Sequence, residues 1–267
     1  MSTPNDELEG KHGVQSLEVG MSILRAMATG RRSMMLKDIA LAAGMPASKA
    51  HRYLVSLIRS GLVEQDRLTS RYDLGPFALN LGLVALDRID RIRLGLTAIT
   101  DLRDETNETV SLTVWSDAGP VVVRWERPRR LITVNVVTGT HLSLLRSAGG
   151  RVFAAWLPER QTEALIRREL ETGKAPAGVS TFDDARALLA KVREAGLAVI
   201  TDDDYFAYGV ESAAAPVFIF KNEITMAIAI VGVEGSMDLS PEGPTLTALR
   251  RTAHELSRRL GATLALG

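Results

Sequence analysis

A chain of 267 residues is longer than a typical single domain, so we expect two domains, each large enough to bury its own core. The composition is 46% hydrophobic and 24% charged with a formal net charge of zero, which is typical of a globular protein. Because the chain has no cysteine, disulfides, thiolate metal sites and cysteine nucleophiles are excluded.

The first twelve residues are polar, and we expect residues 1–12 to form a disordered leader. The stretch Ser2–Lys11 lacks the apolar core of a signal peptide. No apolar run in the chain reaches the roughly 18 residues that a membrane span needs. These patterns predict a cytoplasmic protein.

Two short helices joined by a sharp turn are predicted after a first helix over Val19–Ala28. Gly44 tolerates the positive φ at which a helix ends, and Pro46 suits the start of the next. The earlier helix of this pair has one apolar stripe, formed by Leu36, Ile39, Ala40 and Ala43. The later helix starts at Ala47 and ends at Gly61. Its residues predicted to face the core are Ala50, Leu54, Leu57 and Ile58.

A small hairpin is predicted next, with a strand from Val63, a polar turn over Asp66–Ser70 and a return strand over Tyr72–Leu74. Between residues 25 and 71 there are nine Lys or Arg and three acidic residues, an excess of six positive charges. The major groove of DNA admits a helix, and basic side chains neutralise its phosphates. We therefore predict that DNA is contacted by Lys37, Ala47, Ser48, Lys49, His51, Arg52, Ser56, Arg67, Thr69 and Arg71. The alternative is a helical hairpin with a solvated charged face.

Several segments of this region resemble the IclR-type family of bacterial transcription regulators. They are Val14-Gln15-Ser16-Leu17, Gly44-Met45-Pro46-Ala47-Ser48, His51-Arg52-Tyr53-Leu54 and Tyr72-Asp73-Leu74-Gly75. The resemblance implies a winged helix-turn-helix domain over residues 13–75, followed by an effector-binding domain.

Residues 76–90 are expected to form a linker helix that pairs two chains. Its apolar residues cover more than one face: Phe77, Leu79, Leu81, Leu83, Val84 and Leu86. An ordinary buried helix is the alternative. A dimer would set the spacing between two DNA-binding domains, as a pseudo-palindromic operator in double-stranded DNA requires. A homotetramer is the alternative assembly.

Residues 91–265 are predicted to form an α+β domain in which helices lie beside a mostly antiparallel sheet. A helix is expected to continue from Arg88 to Asn107. An antiparallel meander is predicted from Thr109–Trp115, Val121–Trp125 and Leu131–Val137. Helices over Arg151–Trp156, Glu159–Leu170 and Phe182–Ala195 precede strands over Leu197–Thr201, Ala213–Phe220 and Ile224–Val233 and a closing helix over Thr245–Leu260. This layout resembles the GAF-like ligand domain of the same family.

An enzyme is not expected, because the chain lacks phosphate-loop, dinucleotide, zinc-protease and nucleophile-elbow motifs. His254 lies among arginines of the closing helix and is interpreted as structural, whereas His141 is a candidate pocket residue. The acidic run Asp202-Asp203-Asp204 lacks the glycine spacing of a calcium loop. No metal and no cofactor are predicted.

A ligand pocket is predicted around Ser147–Gly150, where a helix start offers backbone N–H groups to an acceptor. Capping by Ser147, with glycines for packing, is the alternative. The resemblance implies effector contacts from Leu142, Leu145, Ala148, Gly149, Asp202, Ser212, Ala229 and Val231. Family members that bind very small keto acids place hydroxyls on the last strand, where this chain has Ala229 and Val231. We therefore expect an aromatic or partly hydrophobic effector.

The function expected from these patterns is a DNA-binding transcription regulator, with repression favoured, whose operator binding responds to that effector and controls a catabolic operon. The alternative is a constitutive DNA-binding oligomer whose C-terminal domain serves only assembly.

Overall fold

The computed structural model describes residues 13–29, 33–88, 90–129, 137–201 and 209–263. The chain divides into two compact units, Met1–Ile89 and Asp90–Gly267. Among the described residues, none of the helices combines the length and the apolar character of a membrane span. Within the same ranges, no cluster of acidic and histidine side chains is suited to hold a metal ion.

The first unit consists of three helices, a two-stranded hairpin and a fourth helix. Their bounds are α1 Gln15–Thr29, α2 Leu36–Ala42, α3 Ala47–Arg59, β1 Val63–Gln65, β2 Tyr72–Leu74 and α4 Pro76–Arg88. Helix α1 begins four residues before the predicted Val19. Ile23, Ile39 and Leu54, one from each of the first three helices, are completely buried and form the centre of a common core.

The turn between α2 and α3 follows the glycine and proline that mark it in the sequence. Gly44 has a φ of 65°, and Pro46 is the N-cap of α3 with a φ of −62°. The N–H of Met45 donates to the carbonyl of Ala40 at 3.0 Å, which closes the turn. The turn between α2 and α3 is therefore formed by local backbone preferences.

The hairpin of β1 and β2 is antiparallel, with Val63 opposite Leu74. Met34, just before α2, forms an isolated bridge with Tyr72 through two backbone hydrogen bonds of 2.9 and 2.8 Å. This bridge, which we did not predict, attaches the hairpin to the segment that leads into the helix-turn-helix.

The second unit is an α+β domain built on an antiparallel sheet. Its helices are α5 Arg91–Thr106, α6 Ala148–Trp156, α7 Glu159–Glu171, α8 Phe182–Ala195 and α9 Pro244–Arg259. Its strands are β3 Thr109–Ser116, β4 Gly119–Glu126, β5 Ala198–Ile200, β6 Val210–Phe218 and β7 Ile224–Val233. Within the described ranges the strand order is β4-β3-β7-β6-β5, and every neighbouring pair is antiparallel.

Helices cover both faces of this sheet. On β7, Ala229 and Val231 join the core formed by α6, α7 and α8. Met226, of opposite parity in the same strand, approaches Gly95 of α5, and α5 packs in turn against α9. On the face towards α6, the small side chains of Ser111, Ser212 and Ala229 line the cavity described below.

Several predictions for the second unit differ from the structure. The helix expected from Arg88 is interrupted, because the Asp90 side chain accepts a hydrogen bond from the N–H of Arg93 at 2.9 Å and caps a new helix. Strand β6 begins at Val210, three residues before the prediction, because it pairs with β7 as far as Val233. The predicted third strand of the meander lies largely outside the described residues, and β3 pairs with β7 on its other edge.

Candidate DNA interface and ligand cavity

Helix α3 presents an exposed polar face at its N-terminal end. Ala47, Ser48, His51, Arg52 and Ser56 are exposed, and Lys49 is half-buried. No side chain caps this helix, since Pro46 is its N-cap. The N–H groups of Ala47 and Ser48 at the start of α3 therefore have no intrahelical acceptor and are available to a phosphate, whereas the N–H of Lys49 donates to the carbonyl of Pro46 at 3.0 Å.

The tip of the hairpin is held in one conformation by a short hydrogen-bonded turn. Asp66 Oδ1 accepts from the N–H of Leu68 at 2.7 Å and of Thr69 at 2.9 Å. Donation from the Thr69 backbone, and then from Leu68, lowers the pKa of this carboxyl below its ordinary value. Ser70 adopts a φ of 55° to complete the turn.

The side chains of the hairpin tip have different roles. Arg67 and Thr69 are exposed, and so is Lys37 on α2. Arg71 donates from Nη1 to the carbonyl of Ser33 at 2.9 Å, so it also ties the hairpin to the body of the unit. Leu68, which we did not predict as a contact, is 97% exposed at the tip. An apolar side chain in this position can contact a deoxyribose or a base step in the minor groove.

A small cavity of about 20 Å³ lies between α6 and the sheet of the second unit. Six of the predicted effector residues line it: Leu142, Ala148, Gly149, Ser212, Ala229 and Val231. Leu145 is not among its lining residues and is completely buried in the neighbouring core. Asp202 lies outside the described residues.

Two polar groups in the cavity wall are buried without a hydrogen-bond partner among the described residues. They are Trp125 Nε1 and Ser212 Oγ. Thr113 Oγ1 is a third such atom, and it lies 3.5 Å from the position that a Cβ on Gly149 would occupy. Buried polar groups are nearly always paired, so unpaired ones on a cavity wall indicate a missing acceptor or water. The N–H groups of Ala148 and Gly149, at the start of α6, also lack an intrahelical acceptor.

The loop over residues 142–147, whose two ends line the cavity, is fixed from two sides. The carboxylate of Glu169 on α7 accepts from Ser143 Oγ at 2.8 Å, from Leu144 N at 2.7 Å and from Leu145 N at 3.0 Å. Arg151, which is 3% exposed in α6, donates from Nε to the carbonyl of Leu145 at 2.7 Å. This loop is therefore tied to both α6 and α7.

Capping at the start of α6 is also present. Ser147 Oγ accepts from the N–H of Gly150 at 2.9 Å. Helix capping by Ser147, the alternative given for this segment, is therefore present. Ser147 also lines the cavity, together with Ser111, Val122 and Trp125, which sequence reasoning missed. Strict alternation would put Val122 and Trp125 on opposite faces of the sheet, but a β-bulge in β4 opposite Leu112 and Thr113 brings both to the face that meets α6.

Two family models match this chain over most of its length. The model of the IclR helix-turn-helix domain matches residues 16–67, and that of the bacterial transcriptional regulator IclR C-terminal matches residues 84–258. The crystal structure of HmgR from Pseudomonas aeruginosa is similar, with 37% identity and a TM-score of 0.81, covering 94% of this chain and all of that one.

Curated relatives agree with these matches. The glycerol operon regulatory protein of Streptomyces griseus is 32% identical over 93% of this chain and 97% of its own length. The transcriptional repressor IclR of Escherichia coli is 28% identical over 82% of this chain and 80% of its own. These relatives are transcription regulators, not enzymes. This chain belongs to the IclR family of DNA-binding transcription regulators.

Proposed function

We propose that this protein is a ligand-responsive repressor that binds a pseudo-palindromic operator as a dimer and controls a catabolic operon. Regulation of an operon is the named role of its glycerol operon relatives, and repression that of the Escherichia coli relative. A regulator of chromosomal genes acts in the cytoplasm. The observation that best supports the ligand is the cavity wall with its unpaired Trp125 Nε1 and Ser212 Oγ.

The cavity supports an aromatic or partly hydrophobic effector that carries a hydrogen-bond acceptor. Val122, Leu142 and Val231 supply apolar walls, and Trp125 supplies an aromatic one. The acceptor would be held by neutral donors, because none of the described residues that line the cavity is Lys or Arg. A carboxylate at the start of α6 would also be stabilised by the helix dipole.

Binding requires the cavity to enlarge. A volume of about 20 Å³ holds only about one water molecule. A ligand of useful size must therefore move a wall of the cavity, and the loop over 142–147 is tied to α6 and α7. A ligand that prefers the enlarged state shifts the protein towards it, which is the physical basis for a regulated response.

The effector prediction is tested by isothermal titration calorimetry with aromatic carboxylates, including phenylacetate, and with glyoxylate and pyruvate. In Gly149→Ala, the new Cβ would lie 3.2 Å from Leu142 Cδ1, inside the cavity. We expect aromatic carboxylates to bind the unmodified protein and to bind this variant at least about tenfold more weakly, since an added methyl in a tight pocket costs about 1–3 kcal/mol. Binding of glyoxylate or pyruvate with none of the aromatic acids would overturn the ligand class.

A constitutive DNA-binding oligomer is the second candidate function. A gel-shift assay on the promoter beside the gene separates the two, because only a regulated protein changes its DNA affinity when an effector is added. A shift that is unaffected by every ligand that binds in calorimetry would favour the constitutive protein.

The dimer is supported by α4. Phe77, Leu79, Leu81 and Val84 are between 46% and 64% exposed in the single chain. Four large apolar side chains on one short helix would be covered by a partner helix. We expect sedimentation analysis to find a dimer or tetramer, and Leu79→Glu to dissociate it. An unchanged assembly in this variant would exclude α4 as the interface.

A further inference from the structure

A second and larger cavity lies on the other side of the loop over residues 142–147. It is a groove of about 550 Å³, within the range of small-molecule sites. Its apolar surface comes from the side chains of Pro120, Leu142 and Leu165. We call it the basic groove, because four side chains that can carry positive charge line it: His141, Arg146, Arg168 and Lys174.

Among the described residues, Glu169 is the one carboxylate that lines the basic groove, and it forms no ion pair with Arg168 or Lys174. Glu169 directs its oxygens to Ser143 Oγ and to the N–H groups of Leu144 and Leu145. Arg168 and Lys174 are exposed, and neither forms an ion pair with a described residue. Exposed cations without partners beside a concave apolar surface are complementary to an anion with an apolar body.

We propose that the basic groove binds a small organic anion, carrying carboxylate or phosphate groups, at a site distinct from the cavity beneath α6. The anionic groups contact Arg168 and Lys174, and the body of the ligand lies on Leu142 and Leu165. The groove is concave and its floor is apolar, which fits a small molecule better than the evenly spaced phosphates of a nucleic acid. Leu142 and Ser147 line both cavities, so an occupant of the groove touches the loop whose two ends line the other site.

Calorimetric titration of the full chain at low salt tests this site with two probes of the same aromatic body. Phthalate supplies carboxylates and phenyl phosphate supplies a phosphate, so the two arms distinguish the sources of charge. Benzyl alcohol is the neutral control. We expect saturable binding of at least one anion at millimolar concentrations, and none of the alcohol. A charge-assisted hydrogen bond contributes enough that Arg168→Gln with Lys174→Gln should weaken binding at least about tenfold.

The matched control is Arg160→Gln with Lys191→Gln, which removes the same charge from exposed positions that do not line the basic groove. If anion binding is weakened equally in both double variants, the effect comes from the net charge of the protein and the proposed site is overturned. The absence of saturable binding of either anion would also overturn the proposed site. A change of oligomeric state in the Arg168→Gln, Lys174→Gln variant would overturn it as well, because the groove would then be an interface between chains. Anion binding in Gly149→Ala equal to that in the unmodified protein would distinguish this site from the effector cavity, whereas its loss there would assign the anion to that cavity.

Discussion

Arg52→Ala is expected to weaken operator binding by roughly tenfold to a hundredfold, the cost of about 1–3 kcal/mol that accompanies loss of one arginine contact to a base. Arg52 is exposed on α3, in the helix whose N-terminal end carries no side-chain cap. Its guanidinium forms no ion pair with any described residue, so it is available to DNA. Fluorescence anisotropy with a labelled operator at a stated salt concentration measures the loss.

The control for this variant is Arg160→Ala, which removes an equal charge from an exposed position on α7 of the second unit. We expect the control to bind the operator like the unmodified protein, and both variants to keep their oligomeric state and thermal midpoint. Comparison with unrelated DNA separates a base contact from a phosphate contact. If Arg52 reads a base, specific binding falls more than non-specific binding; if it holds a phosphate, both fall together. Unchanged affinity in Arg52→Ala would place DNA elsewhere on the unit.

The elements of the first unit could be predicted from sequence because their signals are local. Gly44 and Pro46 mark a turn through backbone preferences that act within a few residues. The same holds for Thr181 and Asp184, whose reciprocal capping box starts α8 at the predicted residue. The interruption at Asp90 was missed because apolar periodicity continues across it, although the capping aspartate itself was present.

The walls of the cavity could be predicted only in part, because they depend on contacts between distant segments. Six positions followed from resemblance to the family, but Val122 and Trp125 share one face only because of a β-bulge in β4, which no local pattern specifies. Glu169 lies 24 to 26 residues after the loop atoms that it accepts from, and no motif links them. This contact forms only when α7 packs against the loop over 142–147, so it could not be predicted from local sequence patterns.

The two sites of the second unit share a mechanical element. A ligand bound in the cavity as proposed would press on the loop over 142–147 from one side, and Glu169 and Arg151 hold that loop through its backbone. Because the loop continues directly into α6, its displacement must also affect the start of that helix. The loop is therefore the element through which ligand binding could alter the rest of the protein. The contact between this loop and α6 should be sensitive to any added group that lies between them.

Gly150→Ala is expected to damage this attachment severely. A Cβ at position 150 would lie 1.9 Å from the carbonyl oxygen of Ser143 and 2.7 Å from Ser147 Oγ. Backbone atoms cannot yield as a side chain does, so the loop must leave α6 and the Ser147 cap must break. We expect the free energy of unfolding of the second unit to fall by about 3 kcal/mol or more, the range that marks severe overpacking combined with loss of a cap.

Thermal and urea unfolding of the full chain, followed by tryptophan fluorescence, measure this loss, because all three tryptophans, Trp115, Trp125 and Trp156, lie in the second unit. Gly149→Ala is the matched control one residue earlier. Its Cβ meets only the side chains of Leu142 and Thr113, at 3.2 Å and beyond, so its stability should change by no more than about 1 kcal/mol. The pair then separates two effects of an added methyl group: at position 149 it fills the cavity, and at position 150 it detaches the loop. Equal stability of the two variants would show that the loop over 142–147 is not held against α6 in solution.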